Sequence, residues 1–139
     1  MGNINQIRKI VLFLSLFLIL AGCVGQEKVG IEGESKHWKA EMIYTVSKSV
    51  QSGEGSIEYI GDEKLKSLHY EINFPKIFTL GASGSRDKIN GNDTVFSLGV
   101  LNPPHDNGEI LRNHIDEISI TVEWETLSGK VKEEVVDLS

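Results

Sequence analysis

The chain has 139 residues and one cysteine, and its 14 Lys and Arg against 20 Asp and Glu give a formal net charge of −6. This length accommodates one small domain and no second hydrophobic core. The acidic balance disfavours binding to nucleic acid and flat docking on anionic lipid headgroups, because both require basic patches. A single cysteine excludes an intramolecular disulfide, so the domain is expected to hold together through its apolar core alone.

The N-terminal segment has the order of an export signal. A cationic pair, Arg8-Lys9, precedes an apolar run from Ile10 to Leu20, and the tetrapeptide Leu20-Ala21-Gly22-Cys23 follows. As a helix this apolar run spans about 16 Å, well short of the roughly 30 Å hydrocarbon core of a bilayer. The run therefore favours a cleaved signal over a permanent transmembrane helix.

This segment resembles the type II signal of bacterial lipoproteins, with Leu20-Ala21-Gly22-Cys23 in the place of the lipobox. The resemblance implies that lipoprotein-processing enzymes recognise Leu20, Ala21 and Gly22, build a diacylglyceryl group on the Cys23 thiol and cleave before it. Residues 1–22 would be the signal peptide. Two acyl chains give stable anchoring, so the expected location is the extracytoplasmic face of the cell membrane. The alternative is an ordinary secretory signal cleaved near Ala21.

Residues 23–36 are predicted to be the lipidated cysteine and a flexible tether. From Val24 to Lys36 the chain is rich in glycine and charge and lacks apolar periodicity. The folded domain is then expected over residues 37–139. The alternative is that Val29 and Ile31 form an additional edge strand.

Beyond the tether the apolar residues alternate, which predicts β-strands. The first strand runs from Trp38 to Val46, a turn or long hairpin loop covers Ser47 to Ser56, and a short strand covers Ile57 to Ile60. Alternation returns from Lys66 to Phe74 and ends at Pro75, which removes a ladder donor.

The second half of the domain begins with a predicted loop. Gly81 to Asp93 contains three glycines and two asparagines and is expected to be mostly loop, followed by a strand from Thr94 to Leu101. The segment Asn102 to Gly108 breaks the pattern, and a single helical turn is possible around Ile110 to Ile115.

The last hairpin has one apolar and one polar face. Inward positions from Ile118 to Trp124 alternate with polar ones, residues 127–129 supply the turn, and Val131 to Leu138 returns. Six or seven short strands at this spacing predict an all-β fold, a single antiparallel β-sandwich of immunoglobulin-like proportions. A small open or lipocalin-like barrel is the alternative, because strand order cannot be read from spacing.

The chain also resembles, more loosely, small β-sandwich lipoproteins of Bacillus-type Gram-positive bacteria. The resemblance lies in the opening Trp38 to Glu41, the strand end Tyr59 to Gly61 and the strand Ile118 to Trp124. That family brings no established activity, so the resemblance implies location and fold only.

Catalytic motifs are largely missing from the sequence. Gly81 to Ser85 approaches a nucleophile elbow, but Ser85 stands where the motif needs glycine, and the elbow needs a strand-to-helix turn. The four histidines lack the paired spacing of a metal site, and His69 is predicted to face solvent. One shared site is conceivable, formed by His105, Asp106, His114 and Asp116.

Two further groups could bind cations. Oxygen ligands surround Gly91 in the Asp87 to Asp93 loop, where Asx-turn chemistry explains the same residues. The last hairpin carries an acidic outer face whose default role is a solvated surface that discourages edge aggregation. The acidic residues of this face are Glu117, Glu123, Glu125, Glu133 and Glu134. Trp38 and Trp124 occupy the inward phase and are predicted to pack in the core rather than form a ligand platform.

The sequence therefore predicts a non-enzymatic lipoprotein, held at the membrane through Cys23, that binds an unidentified protein or small ligand without a cofactor or metal. The candidate contact region is the pair of loops Gly81 to Asp93 and Asn102 to Asn113, because a rigid sandwich usually presents its recognition residues on loops. The alternatives are an envelope enzyme or metal-binding protein that uses the His105, Asp106, His114 and Asp116 group, and an accessory subunit of an envelope complex.

Overall fold

The computed structural model describes residues 25–139. These residues form eight strands: β1 (Glu27–Glu34), β2 (Trp38–Val46), β3 (Val50–Tyr59), β4 (Leu65–Asn73), β5 (Ala82–Arg86), β6 (Val95–Leu101), β7 (Ser119–Thr126) and β8 (Val131–Asp137). A short helix α1 (Gly108–His114) and a 3-10 turn (Ile115–Glu117) lie between β6 and β7. Within 25–139 no helix is long and apolar enough to cross a membrane. The predicted signal peptide and lipobox lie outside the described residues.

The strands form two antiparallel sheets of four strands each. The first sheet has the order β1-β2-β3-β6 and the second has the order β5-β4-β7-β8. Every strand pair within the sheets is antiparallel. The predicted all-β sandwich is confirmed, with more strands than the six or seven expected.

The core lies between the sheets and follows the predicted alternation. In β2 every second residue from Trp38 to Val46 is buried, and Met42 and Tyr44 have no exposed surface. Trp38 and Trp124, from opposite sheets, are 0% and 1% exposed, and their rings pack edge to face with centroids 5.6 Å apart. Both tryptophans therefore belong to the core, as predicted.

The predicted tether is wrong between Glu27 and Glu34, where the chain forms β1. This strand pairs with β2 from Glu27 opposite Val46 to Glu34 opposite Lys39, and Ile31 is 6% exposed. Only one face of this edge strand packs on the core, and Ile31 is its one buried residue. Apolar alternation is therefore almost absent, and the composition resembles that of a linker. The alternative that gave β1 to Val29 and Ile31 is the correct one.

Two predicted loops also contain strands. β3 begins at Val50 within the predicted Ser47 to Ser56 loop, and β5 lies within the predicted Gly81 to Asp93 loop. Glycines inside these strands lie beneath aromatic rings: a Cβ on Gly53 would lie 2.6 Å from the Tyr44 ring, and one on Gly84 would lie 2.5 Å from the Tyr70 hydroxyl. These two glycines allow the aromatic rings to pack closely against the strands, although glycine in a sequence usually indicates a turn.

The sandwich has two ends, which we call the helix end and the turn end. At the helix end the start of β1, the β2–β3 turn and residues 102–107 meet α1, whose Asn107 cap accepts hydrogen bonds from the N–H groups of Glu109 and Ile110. The predicted single helical turn is thus a seven-residue helix, and its Leu111 is fully buried. The turn end comprises residues 35–37, 60–64, 87–94 and 127–130.

Candidate functional site: the cleft between β5 and β6

The two sides of the sandwich differ. On the closed side β1 meets β8, and the last residue extends this contact: Ser139 donates its N–H to the Glu32 carbonyl at 3.0 Å and accepts from the Glu32 N–H at 3.4 Å. On the open side the outermost strands are β5 and β6, which follow each other in the chain but belong to different sheets and do not pair. A hairpin that is split between two sheets therefore leaves one backbone edge of each strand free.

Charge follows the same division. Proteins guard free strand edges with charged side chains or by covering them. On the closed side β1 and β8 are rich in charge, with Glu27, Lys28, Glu32, Glu34, Lys132, Glu133, Glu134 and Asp137. On the open side Arg86 is the one charged residue in β5 and β6. The open side therefore lacks most of the protection that the closed side has.

A cleft of about 290 Å³ opens between the sheets on this side, in the half nearer the helix end. Its walls come from β4, the start of β5 and the end of β6. The lining residues are Tyr70, Ile72, Phe74, Leu80, Gly81, Ala82, Ser83, Leu98, Val100, Leu101 and Asn102. The cleft combines apolar side chains with the free backbone edges of two strands, so it offers both burial and hydrogen bonding.

Tyr70 forms the floor of the cleft and connects the sheets. The side chain is 6% exposed, and its hydroxyl donates to the Leu98 carbonyl across the gap at 3.4 Å. The ring fits because Gly84, on the neighbouring strand, has no side chain. In the sequence, only the inward phase of Tyr70 indicates that this side chain is part of the interior.

Arg86 closes the other half of the gap. Its guanidinium donates to the Ser97 carbonyl on β6 at 3.1 Å and to the Ser85 carbonyl at 3.0 Å. The Ser97 hydroxyl accepts the N–H of Gly99 at 3.0 Å. Side chains thus form hydrogen bonds with backbone groups of β6 that have no neighbouring strand to pair with.

The two loops predicted as a contact region come together only where they begin. Gly81, which begins the first loop, and Asn102, which begins the second, both line the cleft. The rest of the first loop, residues 87–93, lies at the turn end, whereas residues 103–113 lie at the helix end. These loops therefore do not form one surface.

In the predicted His105, Asp106, His114 and Asp116 group, the histidines are not hydrogen-bonded to the aspartates through their Nδ1 atoms. The centroid of the Phe78 ring lies 6.3 Å from the His105 ring and 6.3 Å from the His114 ring. His105 Nδ1 accepts the Asn107 N–H at 3.0 Å, and His114 Nδ1 lies 2.7 Å from a Glu117 carboxylate oxygen. Within residues 25–139 no three His, Cys, Asp or Glu side chains are placed to hold a metal ion.

Two residues predicted on the acidic outer face of the last hairpin lie elsewhere: Glu117 belongs to the 3-10 turn before β7, and Glu134 is partly buried. Glu134 pairs across the sheet with the inward residue Val122 and turns toward the closed side, where it binds His37 through an ion pair and a backbone N–H bond of 3.0 Å and accepts the Ser35 hydroxyl at 2.6 Å. Burial alone would raise the pKa of Glu134, but the hydrogen bonds from His37 and Ser35 outweigh it and lower the pKa below its ordinary value. Glu134 on β8 of the second sheet therefore contacts the β1–β2 turn of the first sheet and links the two sheets.

Two other polar surfaces offer less. On the outer face of the second sheet, His69 is exposed as predicted and its Nδ1 lies 2.9 Å from the Ser85 hydroxyl. This pair stands on an open sheet face, where water surrounds both groups and no cleft would hold a substrate. A groove of about 640 Å³ crosses the outer face of the first sheet and is lined mainly by charged residues, including Glu32, Glu41 and Glu58.

Comparison with known proteins adds no relative: no family model, no curated protein and no solved structure matches this chain.

Proposed function

We infer that this protein is a lipid-anchored binding module of the cell envelope that takes up its partner in the cleft between β5 and β6. The observation that carries this proposal is the contrast between the two sides of the sandwich. One side is closed and charged, and the other has two free strand edges above an apolar floor. A cleft with free edges is a common place for recognition.

The lipobox supports the anchored location. Lipidation of Cys23 would place two acyl chains four residues before Glu27, where β1 begins. That distance is at most roughly 14 Å for an extended chain. The start of β1 lies at the helix end, so this end would face the bilayer closely, and the cleft would open sideways within reach of molecules at the membrane surface.

Binding is favoured over catalysis by the contents of the cleft. The lining residues include no acid, no histidine and no cysteine. General acid–base catalysis draws mainly on such groups, and a serine such as Ser83 needs an adjacent base to act as a nucleophile. The chemistry that the cleft does offer is mainly apolar contact and backbone hydrogen bonding.

Site-specific photocrosslinking in cells tests the proposal. A benzophenone amino acid replaces Asn102, which is exposed and lines the cleft, and in a matched strain it replaces Val135, which is 51% exposed on β8 at the closed side. The mass of each intact adduct is read by mass spectrometry, so that small ligands and proteins are both seen. We expect one adduct of defined mass at position 102, none at position 135, and loss of the adduct when Ala82→Phe fills the cleft.

Two results would contradict the proposal. Adducts of the same mass at both positions would show that the cleft has no special role, and an adduct unaffected by Ala82→Phe would place the partner elsewhere. Ser85→Phe is the matched control for the blocking variant, because Ser85 is exposed on the outer face of the same strand. Adducts with several proteins in a fixed ratio would instead support the alternative that this protein is an accessory subunit of an envelope complex.

A further inference from the structure

The free edge of β6 carries a hydrogen bond that imitates a neighbouring strand. Arg86 donates to the outward carbonyl of Ser97, where an added strand would also donate. Beyond Ser97 a β-bulge shifts the register with β3: Leu98 is the extra residue, and Gly99, with a φ of 78°, donates its N–H to the Ser97 hydroxyl. The regular free edge that an added strand can pair with therefore lies before the bulge, over residues 95–97.

We propose that the partner is an extended segment of another polypeptide, which adds to the free edge of β6 as an antiparallel strand and sends alternate apolar side chains into the cleft. This rests on the proposed binding function of the cleft. The segment displaces Arg86 from the Ser97 carbonyl and replaces it with main-chain bonds. Main-chain bonds supply affinity in this mode of recognition, and the pockets for alternate side chains supply specificity.

The dimensions of the open side suit a strand. β6 has seven residues, and the two bonded groups lie in its middle. The opposite lip, β5, consists of Ala, Ser, Gly and Ser before Arg86, so small side chains border the gap. Alternate residues of an added strand point to one face, and that face would meet Tyr70, Ile72 and Leu98.

Charge distinguishes another protein from a second copy of this chain. The chain carries a formal charge of −6. Two copies with this net charge repel each other, which opposes their association. The expected segment is therefore neutral or basic beside its apolar positions.

Peptide selection on the full lipidated chain in lipid nanodiscs tests this inference. A displayed library of linear twelve-residue peptides is selected on the wild type and depleted on Ala82→Phe. We expect enriched peptides with apolar residues at alternate positions and no central proline. The opposite result, no peptide enriched on the wild type over Ala82→Phe, overturns the inference.

A pair of variants at one position separates backbone pairing from side-chain contact. The Ser97 carbonyl faces the free edge, since Arg86 reaches it, and the N–H of the same residue in a strand faces the same way. Ser97→Pro removes this outward donor, and proline is tolerated at such edge positions. We expect the selected peptides to bind Ser97→Pro about tenfold more weakly. Ser97→Ala, which retains the donor and frees the Gly99 N–H, should bind at least as tightly as the wild type.

N-methylated peptides give the same information if Ser97→Pro does not fold. Methyl groups are placed on alternate amides of a selected peptide in the two possible registers. One register should abolish binding and the other should leave it unchanged, because only one edge of an added strand bonds to β6. Equal tolerance of both registers, or equal affinity for Ser97→Pro and the wild type, overturns strand addition.

The crosslink at position 102 separates failure of this inference from failure of the binding function. An adduct with the mass of a small molecule or a lipid, lost in Ala82→Phe, would preserve the binding cleft and overturn strand addition. An adduct of twice the chain mass would identify a second copy as the occupant and overturn the proposal of another protein. The absence of both an adduct and an enriched peptide would overturn both.

Discussion

Ile31→Ala tests whether β1 is part of the folded domain. Ile31 is 6% exposed and belongs to the hydrophobic core, whereas its neighbour Glu32 is exposed on the outer face. Truncation of a buried isoleucine to alanine costs about 2–5 kcal/mol of unfolding free energy. Because an edge strand relaxes more easily than a central one, we expect a loss at the lower end of this range, about 2 kcal/mol. For a domain of this size that loss lowers Tm by roughly 6–10 °C.

The assay is urea unfolding of the purified chain, followed by tryptophan fluorescence and checked by calorimetry. Trp38 and Trp124 lie in the core and report its opening. Glu32→Ala is the matched control and should change the unfolding free energy by no more than about 0.5 kcal/mol. If Ile31→Ala stays within the same limit, β1 does not pack on the core and the tether interpretation returns.

Three further predictions concern the anchor, the closed side and the cleft floor. Cys23→Ala should abolish lipid labelling and detergent-phase partitioning, and a variant that still partitions like the wild type would refute the lipobox. The lowered pKa of Glu134 means that its contribution to stability is present above the ordinary value of 4.5 and is lost as the pH falls through the lowered pKa. Glu134→Gln should therefore destabilise the protein at neutral pH but not in strong acid, unlike the exposed control Glu133→Gln, and a destabilisation that does not vary with pH in urea titrations would contradict this. Gly84→Ala should cost about 1–3 kcal/mol because its Cβ meets the Tyr70 ring, while Gly81→Ala, whose Cβ meets nothing within 4 Å, should be neutral in the same unfolding assay.

The strands that pack one face on the core could be predicted from the sequence. β2 and β7 each have an unbroken inward series, and β4 has one from Leu68 to Ile72, because apolar residues repeat at the period of a strand. β1 and β5 escaped prediction for a physical reason. Edge strands bury few residues, and β5 is made of small ones that leave room for Tyr70.

The cleft could not be predicted in the same way. It depends on which strands form the edges of the two sheets, and alternation contains no information about strand order. Arg86 and Ser97 are polar residues of ordinary appearance in the sequence, and their roles follow from contact between sheets. The outer-face prediction for Glu134 is wrong because β8 begins with a partly buried row, Lys132 and Glu134, in which Glu134 finds partners in His37 and Ser35.

We propose that the lipid on Cys23 holds the helix end at the bilayer and leaves the turn end away from it. Lys48, in the β2–β3 turn at the helix end, and Lys88, at the turn end, are both exposed. Once Cys23 is lipidated, Lys48→Cys and Lys88→Cys each offer a single thiol for a fluorophore. Quenching by nitroxide-labelled lipids in vesicles should be strong at position 48 and weak at position 88. Equal quenching at the two positions, or stronger quenching at position 88, would contradict the account.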